Sequence, residues 1–330
     1  MTYRVALIGA GTMGSVHSRH WNTMPGAELV GVLDPRADAA RVLGQAYSDW
    51  DTLLSQSKPD IIDICTPTPF HRDYVEQAAA AGKAIFVEKP MARTLADCDA
   101  MITAVERTGV PAMSGHVLRY FPEYAAAKML VDAGGVGRPA AIRTARMAGF
   151  PDSGLRPNWY GDSGQSGGVV LDMILHDFDW LRWTFGPIAH VYAKGLVNQA
   201  KHAGRLDYAL VTLRFASGAV GHVCGSWAHP GGFHATFEIA GDAGMIEHDS
   251  ARSAPLTASL RPSGDAEKGV ALAENTTAPL EDPYFLEIAA FVSALERSQP
   301  PPVTLHDARE ATRIALAALE SIQTGKRVLL

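Results

Sequence analysis

Tyr3-Arg-Val-Ala-Leu-Ile8 runs straight into Gly9-Ala-Gly11-Thr-Met-Gly14, and that junction decides the fold of the first third of the chain. The apolar run reads as a buried strand. Helical spacing follows it, and a second strand-like run, Glu28-Leu-Val-Gly-Val-Leu33, ends in Asp34, twenty residues beyond Gly14. Strand, glycine turn, helix, strand and acid in that order form the βαβ unit that holds a dinucleotide. Gly9 permits the tight turn, Gly11 lets the backbone approach a pyrophosphate, and Gly14 lets the helix pack closely. The helix N-terminus, with first-turn residues Thr12 and Met13, then faces the phosphates. Asp34 stands where a carboxylate accepts hydrogen bonds from an adenosine ribose. It repels a 2′-phosphate and so favours NAD, while nearby Arg36 offsets part of that repulsion and keeps NADP open.

Working outward, the first third alternates strand and helix with short connections, as a doubly wound sheet does. The expected strands are Arg4–Ile8, Glu28–Leu33, Ile61–Cys65, Ala84–Val87 and Pro111–Ser114. Helices are expected near Met13–Met24, Ala37–Gln45, His71–Ala81 and Leu95–Arg107, the last opened by a Thr94 cap and closed by Gly109. Past about Val117 the pattern changes. A helix at Phe121–Ala133 is followed by a Gly-, Pro- and Ser-rich stretch from Gly149 to Gly168 and an amphipathic helix at Val169–Phe185. From Ile188 to about His248 the period falls to two, with strands at Val191–Val197, Asp207–Phe215, Ala219–Ala228, His234–Ala240 and Met245–His248. Residues Ala251 to Pro283 read as an irregular excursion, before helices at Pro283–Ser298 and His306–Thr324. The fold class is therefore α/β. Residues 1–118 form a Rossmann domain, and residues 119–330 form an α+β domain with a large open, mainly antiparallel sheet.

Composition narrows the function. At 330 residues two domains are the default, and 47% hydrophobic with 19% charged residues supports an ordinary globular core. A net charge of −6 without a basic block argues against nucleic acid as a partner. Three widely spaced cysteines, Cys65, Cys98 and Cys224, form no CxxC and read as reduced thiols. No apolar run reaches membrane-spanning length, and a strand at the very start leaves no room for a signal peptide, so a cytoplasmic location is expected. No histidine, cysteine and carboxylate set has zinc-like spacing, so no metal is expected.

Three further stretches carry chemistry. Cys65-Thr66-Pro67 closes the third expected strand and ends in His71, a first-turn helical residue. A Thr-Pro turn there makes a rigid ledge beside a cofactor, and a plain strand-to-helix turn accounts for it equally well. Glu88-Lys89-Pro90 closes the fourth expected strand. A lysine at that edge can donate to a substrate hydroxyl and stabilise charge on its oxygen. In Ser166-Gly-Gly168-Val-Val-Leu-Asp172-Met-Ile-Leu-His176, the acid and histidine are four apart, beside an apolar stripe of Val170, Ile174, Phe178 and Leu181. A carboxylate can fix the tautomer of such a histidine and raise its basicity, which suits it to remove a hydroxyl proton. On spacing alone, an ordinary surface pair is the better fit, since i,i+4 ion pairs are common. Trp159 or Tyr160, in the loop before that helix, can serve as an apolar platform for a sugar face, and a surface loop anchored by one tryptophan accounts for them equally well. His229 and His234 flank Pro230-Gly-Gly232 between two strands and read first as exposed hairpin residues.

Taken together, the glycine turn with Asp34, Cys65-Thr-Pro67, Glu88-Lys89-Pro90, Gly115-His-Val-Leu-Arg119-Tyr and Gly167-Gly168…Asp172…His176 resemble, in order and spacing, the Gfo/Idh/MocA family of oxidoreductases. The closing Gly325-Lys-Arg-Val328 is similar to that family's usual ending, and Asp172-Met-Ile-Leu-His176-Asp-Phe-Asp is most like its inositol dehydrogenase branch. The resemblance implies an NAD(P)-dependent dehydrogenase that oxidises a ring hydroxyl of a sugar or cyclic polyol to a ketone. By similarity, Lys89, Asp172 and His176 form the catalytic group, with either His176 or Lys89 as the proton acceptor, and Lys89-Pro90 is often a cis peptide. Inositol dehydrogenases typically read Gly-Phe-Met/Asn-Arg-Arg where this chain has Gly115-His116-Val117-Leu118-Arg119. One arginine fewer and a histidine more make His116 and Arg119 candidate substrate contacts and leave the polyol open. Two alternatives stand beside this expectation: an NAD-dependent glycoside hydrolase of the same fold, and a non-catalytic NAD-sensing regulator. A homodimer or homotetramer is expected, paired through the open sheet.

Overall fold

The computed structural model describes residues 2–151, 159, 162–197, 206–252, 256–260, 270–274 and 282–330. The chain divides into two compact units, Met1–Val117 with Glu281–Thr312, and Leu118–Leu280 with Arg313–Leu330. The first unit contains β1 (Tyr3–Ile8), α1 (Thr12–Trp21), β2 (Ala27–Leu33), α2 (Ala37–Leu43), β3 (Ala46–Tyr47) and α3 (Trp50–Ser57). It continues with β4 (Ile61–Ile64), α4 (His71–Ala80), β5 (Ala84–Glu88), α5 (Leu95–Thr108) and β6 (Ala112–Gly115). The strands form one sheet in the order β3-β2-β1-β4-β5-β6, and every pairing in it is parallel.

Why these strands are apolar throughout follows from their surroundings. On one face Ala6, Ile8, Ile62, Ile64, Ile85 and Val87 pack with residues of α4 and α5. On the other, Leu7 and Val32 pack with Ala40 of α2. A parallel sheet covered on both faces needs continuous hydrophobic strands rather than alternating ones. Strand order reverses between β1 and β4, and the crevice outside their carboxyl ends is the ligand position of such sheets. Gly9 and Cys65 sit at that edge, their amides donating to Leu33 O and Ile8 O at 2.8 Å each. As expected, α5 is capped by Thr94, whose hydroxyl accepts from Asp97 N at 3.1 Å, and ended by Gly109 at φ +70.

Residues 281–312 group with the first unit, whereas the sequence reading assigned everything after residue 118 to the second. The reason is apolar packing. In the helix at Pro283–Glu296, Ile288, Phe291 and Val292 are buried; Phe291 meets Phe86 of β5 edge to face at 5.6 Å. Leu305 and Ala308, at the start of the helix Leu305–Thr324, belong to the core that includes β1, β4 and β5.

In the second unit a nine-stranded open sheet is mostly antiparallel. Its strands are β7 (Pro139–Met147), β8 (Ile188–Leu196), β9 (Tyr208–Phe215), β10 (Val220–Ser226), β11 (His234–Gly241), β12 (Gly244–Asp249), β13 (Leu256–Leu260), β14 (Val270–Glu274) and β15 (Val328–Leu329). The order is β14-β13-β12-β11-β7-β10-β9-β8-β15, with β7 and β10 parallel. β7, in a stretch for which the sequence predicts no element, lies inside the sheet, and the stretch after Ala251, expected to be irregular, contains β13 and β14. Helix α6 (Pro122–Asp132) matches the expectation, with Pro122 in its first turn. No helix among the described residues is long and apolar enough to cross a membrane.

Candidate active site

At the glycine turn the backbone demands what only glycine supplies. Gly9 has φ +101, and a Cβ there would lie 2.7 Å from Cys65 O; a Cβ on Gly14 would lie 2.0 Å from Gly9 O. The close approach Gly14 allows is therefore to the turn itself. Gly11 differs: a Cβ there meets nothing within 4 Å. Gly11 caps α1 without a side-chain hydrogen bond, and the first turn carries no acid. Open space before uncapped amides at the positive end of a helix fits a pyrophosphate.

Asp34 follows β2 and is 8% exposed. Its Oδ2 accepts from Ala10 N at 2.7 Å, and its Oδ1 from Arg36 N at 2.8 Å. Arg36 adds Nε to Oδ1 at 2.9 Å and Nη2 to Oδ2 at 3.0 Å. Burial pushes the Asp34 carboxyl up, but the Arg36 guanidinium and the Ala10 amide overcome this and hold it below its ordinary range. The acid is thus ionised beside the glycine turn, with Arg36 lying against it.

Two strand-end turns adjoin this edge. His71, expected among the cofactor contacts, is 1% exposed. One ring nitrogen lies 2.8 Å from Thr66 O and the other 3.0 Å from Pro90 O. Its ring therefore lies between the Cys65-Thr66-Pro67 turn and the Glu88-Lys89-Pro90 turn, within hydrogen-bond distance of a carbonyl in each. Burial lowers its pKa, the carbonyl contacts opposing. Lys89-Pro90 is cis, and Lys89 is half-buried. Glu88 is 4% exposed, with Oε2 accepting from Lys89 N at 2.9 Å. Its side chain is likewise directed into the protein. Cys65 is buried too, and burial pushes its thiol well up.

Glu88 leads to a group that sequence reasoning missed. His17, on the buried face of α1 with Gly14, Ser18 and Trp21, has no exposure. Its Nε2 lies 3.1 Å from Glu88 Oε1 and its Nδ1 2.9 Å from Asp63 Oδ2. Trp21 Nε1 donates to the same Asp63 oxygen at 2.6 Å. Burial works to lower the His17 pKa, but the adjoining Asp63 carboxylate reverses this and raises it well above its ordinary value. The signal was present: a histidine on the apolar face of a helix, and an aspartate inside the strand Ile61-Ile-Asp63-Ile64.

In the second unit the expected single helix over Val169–Phe185 is two segments. Gly167 and Gly168 have φ +83 and +67. A π-helical turn, Val169–Met173, follows, with Ile174 N donating to Val169 O at 3.0 Å. An α-helix then runs over Leu175–Phe185. Asp172 lies in the π turn and His176 in the first turn of the α-helix, both half-buried. Their sequence spacing therefore does not describe one uninterrupted α-helical face, and π turns occur frequently at functional sites. The apolar stripe of Val170, Ile174, Phe178 and Leu181 is fully buried.

Either side of His176's face, buried ion pairs pin this helix. Arg146 of β7 gives Nε to Asp177 Oδ2 at 2.8 Å. Arg119 meets Asp179 with two bonds, Nε to Oδ2 at 2.7 Å and Nη2 to Oδ1 at 2.5 Å. Trp180 Nε1 donates to Tyr124 O at 3.1 Å. Arg119, expected as a substrate contact, is thus engaged by Asp179 with its side chain 4% exposed. His116 is fully buried. Trp159 is half-buried, its carbonyl accepting from Asp162 N at 3.1 Å; Tyr160 lies outside the described residues. His234 pairs with Asp249 at 2.9 Å.

Fold and glycine turn together define a dinucleotide-binding α/β protein with an appended sheet domain. Residues 3–116 match the model of an oxidoreductase family with an NAD-binding Rossmann fold, and residues 124–247 match the Gfo/Idh/MocA C-terminal domain. The chain is 30% identical to the myo-inositol 2-dehydrogenase of Thermotoga maritima, over 99% of this chain and 98% of that protein. It is 33% identical to the scyllo-inositol 2-dehydrogenase (NAD(+)) of Bacillus subtilis, over 99% and 96%. A solved levoglucosan dehydrogenase in complex with NADH has a TM-score of 0.90 at 25% identity, covering 100% of this chain and 99% of that one. The chain belongs to the Gfo/Idh/MocA family of NAD-binding oxidoreductases.

Proposed function

We propose that this protein is an NAD-dependent dehydrogenase that oxidises a ring hydroxyl of a cyclic polyol or sugar to a ketone. The observation that carries the redox reading is the uncapped, sterically open start of α1 beside an ionised Asp34. Full-length relatives that act on inositols and a structural neighbour named for levoglucosan support the substrate class. Gly9, Gly11, Thr12, Met13 and Gly14 hold the pyrophosphate, Asp34 the ribose, and the Cys65-Thr66-Pro67 and Lys89-Pro90 turns the remainder. The bound cofactor supplies the hydride acceptor. His176 takes the hydroxyl proton, Asp172 orients the imidazole, and Lys89 stabilises the negative charge that grows on the substrate oxygen. The substrate is a small molecule, the compartment cytoplasmic, and the assembly a homodimer or homotetramer.

The test is a panel of myo-inositol, scyllo-inositol, levoglucosan and common pyranoses, each with NAD⁺ and NADP⁺, read at the reduced-nicotinamide absorbance. Cofactor reduction with at least one cyclic polyol or sugar is expected. With p-nitrophenyl glycosides added to the panel, nitrophenol release without reduced cofactor accumulating indicates the hydrolase instead.

Cofactor choice gives a sharper expectation. With the Arg36 guanidinium drawn onto Asp34, a 2′-phosphate meets a carboxylate whose cation is already engaged. Asp34→Ala removes the repulsion and releases Arg36. The ratio of kcat/KM for NAD⁺ over NADP⁺ should then fall by about 10- to 100-fold, the worth of one charge-assisted hydrogen bond. A ratio unmoved by the substitution removes Asp34 from cofactor selection.

A further inference from the structure

Beneath the Glu88-Lys89-Pro90 turn lies a chain of buried polar groups that the proposed chemistry does not use. Asp63 Oδ2 accepts from Trp21 Nε1 at 2.6 Å and lies 2.9 Å from His17 Nδ1. His17 Nε2 lies 3.1 Å from Glu88 Oε1, and the other oxygen of that carboxylate accepts from the Lys89 amide at 2.9 Å. Side-chain exposure along His17, Asp63 and Glu88 is 0%, 0% and 6%.

We infer that His17 is a positioning residue for Lys89: as an imidazolium it clamps the Glu88 carboxylate against Asp63, and Glu88 in turn fixes the Lys89 backbone. The inference rests on the proposed role of Lys89. A neutral imidazole donates from one nitrogen only, so two carboxylate partners require both nitrogens to be protonated. The raised His17 pKa and the Glu88 carboxyl, which burial pushes up but His17 brings below its ordinary range, agree with that state. Burying an imidazolium between two carboxylates is not the cheapest way to fill a core; apolar residues of similar volume are often at least as stabilising. What the ionic chain adds is direction. It joins α1 and β4 to the residue preceding Lys89, while a ring nitrogen of His71 packs 3.0 Å from Pro90 O on the following side. Lys89 is thereby bracketed through both of its chain neighbours.

The donor atoms of His17, Asp63 and Cys65 all lie within 4.8 Å of one another, a spacing a cation can also use. Against that, the inferred imidazolium carries a proton on the Nδ1 that lies 2.9 Å from Asp63 Oδ2, and burial pushes the Cys65 thiol well up. Both protons would have to leave before the set could ligate.

Full-length variants H17N, H17Q, K89M and H17N/K89M separate the possibilities, with myo-inositol, or the fastest polyol of the panel, and NAD⁺ as substrates. The asparagine amide nitrogen replaces Nδ1 and keeps the Asp63 bond, whereas that of glutamine replaces Nε2 and keeps the Glu88 bond. H17N should lower kcat by about 10- to 100-fold, the scale of a misplaced catalytic group, and leave NAD⁺ affinity, read by tryptophan quenching, within about twofold. H17Q should retain the larger share of the rate, and H17N/K89M should be no slower than K89M. Wild-type kcat in H17N, equal losses in H17N and H17Q, or a double variant slower by the product of the single effects would each overturn the inference. So would a stoichiometric metal ion in the dialysed wild-type protein. Wild-type turnover in K89M removes Lys89 from the chemistry and the inference with it. An inactive K89M beside an unaffected H17N removes only the positioning role.

Discussion

His176→Ala is expected to lower kcat by about 10²- to 10⁴-fold, the range a positioned general base contributes. NAD⁺ binding should change little, because the glycine turn and Asp34 belong to the other compact unit of the chain. Loss of fold is not expected to account for the deficit. His176 is half-buried, and its helix is held by other groups: Asp177 by Arg146 at 2.8 Å, Asp179 by Arg119, and Trp180 by the Tyr124 carbonyl. Circular dichroism and thermal unfolding should therefore match wild type while turnover collapses. A companion substitution, Asp172→Asn, should cost less than the loss of the imidazole, since an orienting group contributes only through the ring it directs. Wild-type turnover in the alanine variant would remove His176 from the mechanism.

Lys89→Met should lower kcat by about 10²- to 10³-fold, the cost of deleting one preorganised donor to a developing oxyanion. Methionine keeps an unbranched apolar stem and leaves the Lys89 amide free to donate to Glu88 Oε2, as it does at 2.9 Å. What is lost is the ammonium alone. The same pair of variants identifies the proton acceptor. The acid limb of the kcat/KM profile belongs to the group that must be deprotonated to act. It should vanish in the histidine variant and survive in the lysine variant. The reverse outcome would exchange the two roles.

How much of this was legible beforehand depended on whether burial followed apolarity. β1, the glycine turn and β2 were readable because the sheet is covered on both faces, so its strands are apolar without interruption. β7 was not, although it lies inside the second sheet. Its inward positions are Ile142, Thr144 and Arg146, so two of three buried side chains are polar and no hydrophobic alternation is visible. Arg146 goes inward because Asp177 awaits it, a partner thirty-one residues away that no local window contains. β13 was hidden differently: Leu256 and Ala258 are its buried residues, too short and small a pattern to register. The π turn escaped because an i,i+5 bond leaves no compositional mark, so Val169–Phe185 scans as one helix. His17 was missed for a related reason. A histidine on an apolar helix face reads as filler until Asp63 and Glu88, forty-six and seventy-one residues on, are brought to its two nitrogens.

Candidate site residues divide in the same way. Glycines at the turn were legible because backbone sterics restrict the residue type, as the 2.0 Å approach at Gly14 makes plain. Arg119 and His71 were legible as unusual but not as to purpose; each is drawn into the protein by a partner, Asp179 for one and the Thr66 and Pro90 carbonyls for the other. Substrate identity is a property of how loops present donors around a ring, and linear order does not carry it.

Deuterium tracing tests the proposed chemistry most directly. The protein is incubated with NAD⁺ and myo-inositol deuterated at every ring carbon, or the equivalent form of the best panel substrate, and both products are weighed by mass spectrometry. Direct hydride transfer predicts one deuterium in each reduced nicotinamide, with one ketone formed per label transferred. Ketone without labelled reduced cofactor, or a cleaved sugar with the cofactor returned oxidised, would contradict it.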